Sequence, residues 1–221
     1  MLFKEWDELM SSGYKYSLIV ADPPWKYDRD DYGLSGCVTN RINGAGYDTM
    51  SDSDISKMNV SLISEKDSAL CLWATGSRMD SAIDIMRAWG FKFKTVLFVW
   101  QKVSRAGGKR MVMGNYTRPS TEFILLGTRG RGVLIPKEDK IHNMHQVVDH
   151  EIIGHSIKPT VFIRQIETLF HRPVKKLEMF ARLGFPNWDL FGYECEPFPQ
   201  NQTLANGIMP EIQDVQIQLE H

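Results

Sequence analysis

The sequence predicts an α/β domain, doubly wound around a mainly parallel sheet, and three observations carry that expectation. Short apolar runs rich in β-branched and aromatic residues alternate with amphipathic segments along most of the 221 residues. The first strong run, Tyr16 to Ala21, leads straight into Asp22, and sheets of this kind bind ligands outside the carboxyl ends of their strands. The length suits one domain with a full core rather than two small ones.

Each element follows from its local pattern. Strands are expected at Tyr16 to Ala21, Ala69 to Thr75, Thr95 to Gln101, Phe123 to Thr128 and Leu177 to Phe180, each a compact apolar run of the kind that is buried on both faces. Ser51-x-x-Asp54 resembles a capping box and opens a helix through about Ile63. Met79 to Trp89 repeats apolar residues at helical spacing. A third helix begins at Lys158-Pro159, where proline suits the first turn, and carries Val161, Phe162, Ile166, Leu169 and Phe170. Two stretches, Asp28 to Gly46 and Val103 to Asn115, have neither period and are long enough to be functional loops.

Composition narrows the class. With 43% hydrophobic and 24% charged residues the chain is neither collagenous, coiled-coil nor wholly disordered. No apolar run approaches the ~20 residues of a membrane helix, and the first residues lack the segments of a secretory signal, so a cytoplasmic protein with no membrane partner is expected. Cys37, Cys71 and Cys195 are too scattered for a disulfide framework. After Pro197 the sequence is polar and Gln-rich, which sets the expected domain at 1–196 and a tail at 197–221; Leu219, Glu220 and His221 resemble the start of a histidine tag.

Charge is unevenly spread. The net charge is -1, yet no Lys or Arg follows Asp189, and between Asp84 and Glu122 eight basic residues occur without one acid. Lys102, Arg105, Lys109, Arg110 and Arg118 in that stretch are candidate phosphate contacts, against the plain alternative of a solvated face.

The chemistry centres on Asp22-Pro23-Pro24-Trp25. Proline after Asp22 forces that residue to be extended, and two prolines remove the following amide donors. What remains is an acceptor patch of the Asp22 carboxylate and the neighbouring carbonyls, with an indole beside it for a planar ring. The exocyclic amino group of adenine presents two N–H bonds and is a poor nucleophile. Accepting both hydrogens returns electron density to the nitrogen, which can then attack a methyl carbon on a sulfonium without metal or covalent intermediate.

The chain resembles the adenine N6-methyltransferase family defined by an Asp-Pro-Pro-Trp motif, which includes messenger-RNA adenosine methyltransferases and bacterial or phage DNA-adenine enzymes. The resemblance covers about Tyr16 to Glu194 and runs through six motifs in order. After the first come Gly46-Tyr47-Asp48-Thr49-Met50-Ser51, Leu72-Trp73-Ala74-Thr75-Gly76 and Thr121-Glu122-Phe123-Ile124-Leu125-Leu126-Gly127. His155-Ser156-x-Lys158-Pro159 follows, then Glu178-Met179-Phe180-Ala181-Arg182 leading to Asn187-Trp188.

The resemblance implies a Rossmann-like methyltransferase fold with circularly permuted motif order and S-adenosylmethionine as cofactor. It implies that Asp22 binds the target amino group and the amino end of the cofactor, that Pro23, Pro24 and Trp25 shape the base pocket, and that Tyr47 closes over the base. Lys158 would pair with the methionine carboxylate and Arg182 would reach the nucleoside end, with Asn187 a further cofactor contact. Glu194, in a Gly192-Tyr193-Glu194 run that replaces the family's Gly-Asn-Gln, would accept from the ribose hydroxyls.

Further substrate candidates are Trp100 and Tyr116 as stacking rings, Arg118 beside them, and Glu122 near the base pocket, where a salt bridge to a neighbouring Arg is an equal account. His142, His145, His150 and His155 match no common zinc spacing, so no metal is expected. The expected activity is methylation of the adenine N6 amino group in DNA, because the chain lacks long appended RNA-binding regions; methylation of RNA, an inactive nucleic-acid-binding partner and methylation of a glutamine amide are the rivals. A homo-oligomer is compatible with this reading, and the expected setting is a bacterial cell or a phage-infected host.

Overall fold

A computed structural model describes residues 1–26, 49–104, 107–109, 116–133, 135, 137–141, 143–152, 157–172, 174–182 and 184–192. The first long loop, the tail, Tyr47, Arg105, Arg110 and Glu194, all given roles from the sequence, lie outside these residues. The described strands are β1 (Leu2–Phe3), β2 (Tyr16–Ala21), β3 (Ser64–Thr75), β4 (Lys92–Val103), β5 (Thr121–Arg129), β6 (Val147–Glu151), β7 (Lys176–Met179) and β8 (Asp189–Phe191). The helices are α1 (Trp6–Ser11), α2 (Asp52–Lys57), α3 (Met79–Ala88) and α4 (Thr160–Leu169).

The strands form a mixed sheet in the order β1-β8-β7-β2-β3-β5-β4-β6. Pairing is parallel except on both sides of β5, which runs opposite to β3 and β4. Strand β2 lies inside the sheet, with Val20 opposite Cys71 of β3 and Glu178 of β7. Its alternate side chains enter two cores. Ile19 and Ala21 join Leu9 of α1, Ile55 of α2 and Ile85 of α3, while Leu18 and Val20 join Phe162, Ile163 and Ile166 of α4. Helices therefore cover both faces, which is why Leu18 to Ala21 of β2 read as an unbroken apolar run rather than an alternating one.

Helix α2 is capped as its sequence suggests, with Ser51 Oγ accepting from the Asp54 N–H at 3.1 Å, but it stops at Lys57 instead of near Ile63. Met58 is extended, and a 3-10 turn at Val60–Leu62 carries Val60 and the following Ile63 inward while Leu62 stays exposed. Strands β1, β6 and β8 and helix α1 carry no apolar run of their own. Two of these strands lie at the sheet edges, where one side is unpaired and partial exposure removes the sequence signal. Among the described residues no helix is long and apolar enough to cross a membrane.

Candidate active site

The site is built at the carboxyl ends of the parallel strands. Asp22 directly follows β2, and its N–H donates to the Met179 carbonyl at 3.3 Å, so the chain stays tied to β7 as it leaves the sheet. Beyond it the Pro23 carbonyl accepts the Trp25 N–H and the Pro24 carbonyl accepts the Met50 N–H, both at 2.8 Å, while the Lys26 N–H donates to Met50 at 3.1 Å. The two proline carbonyls thus carry backbone bonds. Each proline carbonyl keeps a second lone pair, so the acceptor patch consists of the Asp22 carboxylate with the remaining capacity of these two oxygens.

Trp25 departs from expectation as well. Its ring is 5% exposed and packs in the core with α2 and α3, so it supports the motif from below and offers no open face to a planar ligand. Its indole N–H is buried without a hydrogen-bond partner.

Four charged side chains meet above the sheet. Lys158, two residues before α4, places Nζ 2.8 Å from Asp22 Oδ2 and 3.3 Å from Glu122 Oε2, and Lys102 near the end of β4 places Nζ 2.5 Å from Glu122 Oε1. Glu122 reaches the site because β5 is antiparallel: its beginning, not its end, lies beside Thr75 of β3 and Trp100 of β4. The result is a chain of alternating charge, Asp22, Lys158, Glu122, Lys102. Below it, Trp73 lies 5.4 Å from Lys158 Nζ and Trp100 lies 5.1 Å from Lys102 Nζ, and the two rings pack edge to face at 6.3 Å. Cations over indole faces are held by the ring quadrupole.

Two expectations for this region need correction. Trp100 is 3% exposed and its N–H donates to the His150 carbonyl at 2.8 Å, so it belongs to the core and not to a stacking surface. Lys102 points inward to Glu122 and not out to a phosphate; the ion pair foreseen for Glu122 forms with two lysines and not with an arginine.

Electrostatics follow the geometry. Burial raises the Asp22 carboxyl above its ordinary value, with the Lys158 ammonium working against it. Burial also acts to raise Glu122, but Lys158 and Lys102 together outweigh it and hold that carboxyl low. Lys158 resists the loss of its proton because Asp22 and Glu122 overcome the effect of its own burial.

Glu178 was not singled out in the sequence. It is a carboxylate in the middle of β7, level with Val20, whose Oε2 is buried and has no hydrogen-bond partner. Burial, with the Asp22 charge nearby, pushes it up to about 8. The signal available was an acid inside an apolar strand, a residue type that is almost never buried without a reason.

The other predicted residues are placed as follows. Arg182 sits in the turn after β7, where its charge bears on Asp22. That turn is shaped by a close approach: a Cβ on Gly192 would lie 2.4 Å from the Ala181 carbonyl oxygen. Asn187 is exposed with φ 66°. Tyr116 is fully exposed, and Arg118 and Lys109 are exposed with it on the connection between β4 and β5. Asp22, Lys158, Glu122, Lys102 and Arg182 are brought together; Tyr116, Arg118, Lys109 and Asn187 remain on the surface. Among the described residues no group of three His, Cys, Asp or Glu is placed to hold a metal ion.

Comparison with known proteins gives a consistent picture. The MT-A70 family profile matches residues 16–194. The chain is 32% identical over 191 residues to the type II methyltransferase M.MunI of a Mycoplasma species, covering 81% of this chain and 78% of that protein. It is 25% identical over 173 residues to a probable N(6)-adenosine-methyltransferase MT-A70-like protein of Oryza sativa subsp. japonica, covering 76% of this chain and 21% of the other. It is 23% identical over 188 residues to the N(6)-adenosine-methyltransferase catalytic subunit METTL3 of Homo sapiens, covering 82% and 28%. The chain thus spans most of the bacterial relative and under a third of these two eukaryotic ones.

Proposed function

The chain belongs to the MT-A70 family of adenine N6-methyltransferases, whose members depend on S-adenosylmethionine, and on that premise we propose that it methylates the N6 amino group of adenine in DNA by direct transfer. The observation that carries the reading is the Asp22–Lys158 pair at the carboxyl end of β2, an acceptor and a cation 2.8 Å apart.

The residues present fit the cofactor. Its methionine end is a zwitterion, and Lys158 and Asp22 offer one charge of each sign to it. Glu178, whose Oε2 is buried near Asp22 without a hydrogen-bond partner, adds a further polar group to that end of the site. When bound, S-adenosylmethionine supplies a methyl group on a sulfonium leaving group. Asp22 then accepts from the adenine amino group, orienting its lone pair, and its partly buried position at the end of β2 strengthens that bond.

DNA is favoured by the Mycoplasma type II methyltransferase, which shares most of its length with this chain. RNA is the second reading, favoured by the N(6)-adenosine-methyltransferase relatives. Strand β7, late in the chain, lies directly beside β2, which supports a permuted order with the amino-group motif ahead of the methionine-binding one. The bacterial relative supports a cytoplasmic setting. A base paired in a duplex has its amino group engaged, so the target adenine leaves its stack before reaction.

The test is transfer of label from S-adenosylmethionine to unmethylated duplex DNA, single-stranded DNA and RNA, with mapping of the modified positions. Label at adenine N6 in DNA is expected. Label confined to RNA would replace the substrate, and no label on any of them in a protein that binds the cofactor would overturn the reading.

A further inference from the structure

We propose that Lys102 is a positioning residue for methyl transfer: acting through Glu122, it sets how Lys158 is shared between Glu122 and Asp22, and so how readily Lys158 and Asp22 are given up to ligands. The inference deepens the methyl-transfer reading of the same site and rests on it.

The geometry leaves Lys102 no outward role. Its side chain is 16% exposed, its ammonium meets Glu122 Oε1, and the indole beneath it is itself held by a hydrogen bond to the His150 carbonyl. The backbone is fixed too, because the Lys102 N–H donates to the Ser120 carbonyl at 2.7 Å and Trp100 stands in register with Glu122. Glu122 divides its two oxygens between two lysines, and Lys158 divides its ammonium between two carboxylates.

Division is the point of the arrangement. With Lys102 in place, half of the Glu122 carboxylate is neutralised, and Lys158 lies closer to Asp22 than to Glu122. With Lys102 removed, the whole Glu122 charge falls on Lys158. The ammonium is drawn off Asp22 and held more firmly, so a cofactor carboxylate competes for it less well, and the Asp22 carboxylate loses the cation that opposes its protonation. The charged groups facing this cluster are Asp22 after β2, Glu122 on β5, Lys102 on β4, Lys158 before α4, Glu178 on β7 and Arg182 after it.

The experiment compares Lys102→Met, Lys102→Gln, Lys102→Arg, Glu122→Gln and the double variant Lys102→Met with Glu122→Gln. Calorimetry measures S-adenosylmethionine affinity without nucleic acid, a salt titration measures nucleic-acid affinity without cofactor, and rates are followed across pH. Loss of Lys102 should weaken cofactor affinity about tenfold and shift the acid limb of the rate profile upward. Arginine should restore both to within about twofold, and in the Glu122→Gln background the same loss should change cofactor affinity by less than about twofold. The salt slope should not move.

Additive effects in the double variant would overturn the proposal, and so would a flattened salt slope with unchanged cofactor affinity, the signature of a phosphate contact. Lys102→Gln carries the test if Lys102→Met does not fold. A wild-type protein that binds no S-adenosylmethionine overturns the methyl-transfer reading, and the proposal with it; a wild type that binds it while the Lys102 variants bind equally well overturns the proposal alone.

Discussion

Lys158 Nζ sits 2.8 Å from Asp22 Oδ2, so the proposed acceptor for the amino group and the proposed cofactor-binding cation are bonded to each other before either meets a ligand. Asp22→Ala should therefore leave a folded protein, since Lys158 keeps Glu122 as a partner and the residue lies at a strand end. Methyl transfer should fall by about 10²-fold or more, as when one preorganised polar contact to a reacting group is lost. Circular dichroism and single-turnover rates check both halves. Wild-type turnover in a folded variant would reject the mechanism.

Lys158→Ala removes a charge-assisted hydrogen bond worth ~1.5–3 kcal/mol, and calorimetry should record weaker S-adenosylmethionine binding by about one to two orders of magnitude. Unchanged affinity would exclude Lys158 from the cofactor site.

The rate should fall on the acid side at a pH above the ordinary carboxylate range. Asp22 acts as an acceptor only when ionised, and burial has raised its proton affinity in the folded protein. Removing Lys158 removes the charge that opposes this, so the acid limb should move to still higher pH in the Lys158→Ala protein. A limb that stays in place would mean another group controls it.

Glu178 makes a prediction about stability. Its folded value of about 8 lies above the ordinary 4.5, so the folded chain keeps a proton that the unfolded chain has given up. Stability falls as pH rises between those values and is level beyond them. Glu178→Gln should raise the melting temperature most at pH 8 and above, by the equivalent of a few kcal/mol on the order-of-magnitude scale of such shifts, with the gain vanishing toward acid. A pH-independent difference would show that Glu178 titrates as an exposed acid.

Gly192→Ala would push a Cβ into the backbone of Ala181, which cannot move aside as a flexible side chain would. A loss of about 1–3 kcal/mol in stability is expected, as for other overpacked sites. Because the strained turn carries Arg182, cofactor affinity should fall with it. Full affinity in the variant would separate that turn from the cofactor.

The legibility of this molecule in its sequence tracks burial. Strand β2 and helix α4 announce themselves because Leu18 to Ala21 of one and a stripe of the other must be apolar to fill the two cores. Strand β8 did not, because three residues beside a two-residue edge partner need no run of their own. In the site, Asp22 and Lys158 were legible from motifs, but the fate of Lys102 was not. A lysine in a basic stretch looks like a surface charge until an antiparallel strand brings Glu122 against it. Trp25 and Trp100 were misjudged for the same reason: an indole reads equally as a platform or as core, and only packing distinguishes them. Glu178 opens a motif in the sequence, but only the packing of β7 beside β2 shows that its carboxyl is buried near Asp22.

The antiparallel course of β5 also has a consequence for how such proteins diversify. Strand β4 ends and β5 begins at the same rim, with Gln101 opposite Thr121, so the segment joining them departs from the reaction centre and returns to it. Apart from the Val103–Lys109 bridge, the described residues of that segment take no part in the strand pairing of the sheet. An insertion at that one hairpin mouth would change what stands over the four charged side chains while leaving the strands that carry Lys102 and Glu122 in place.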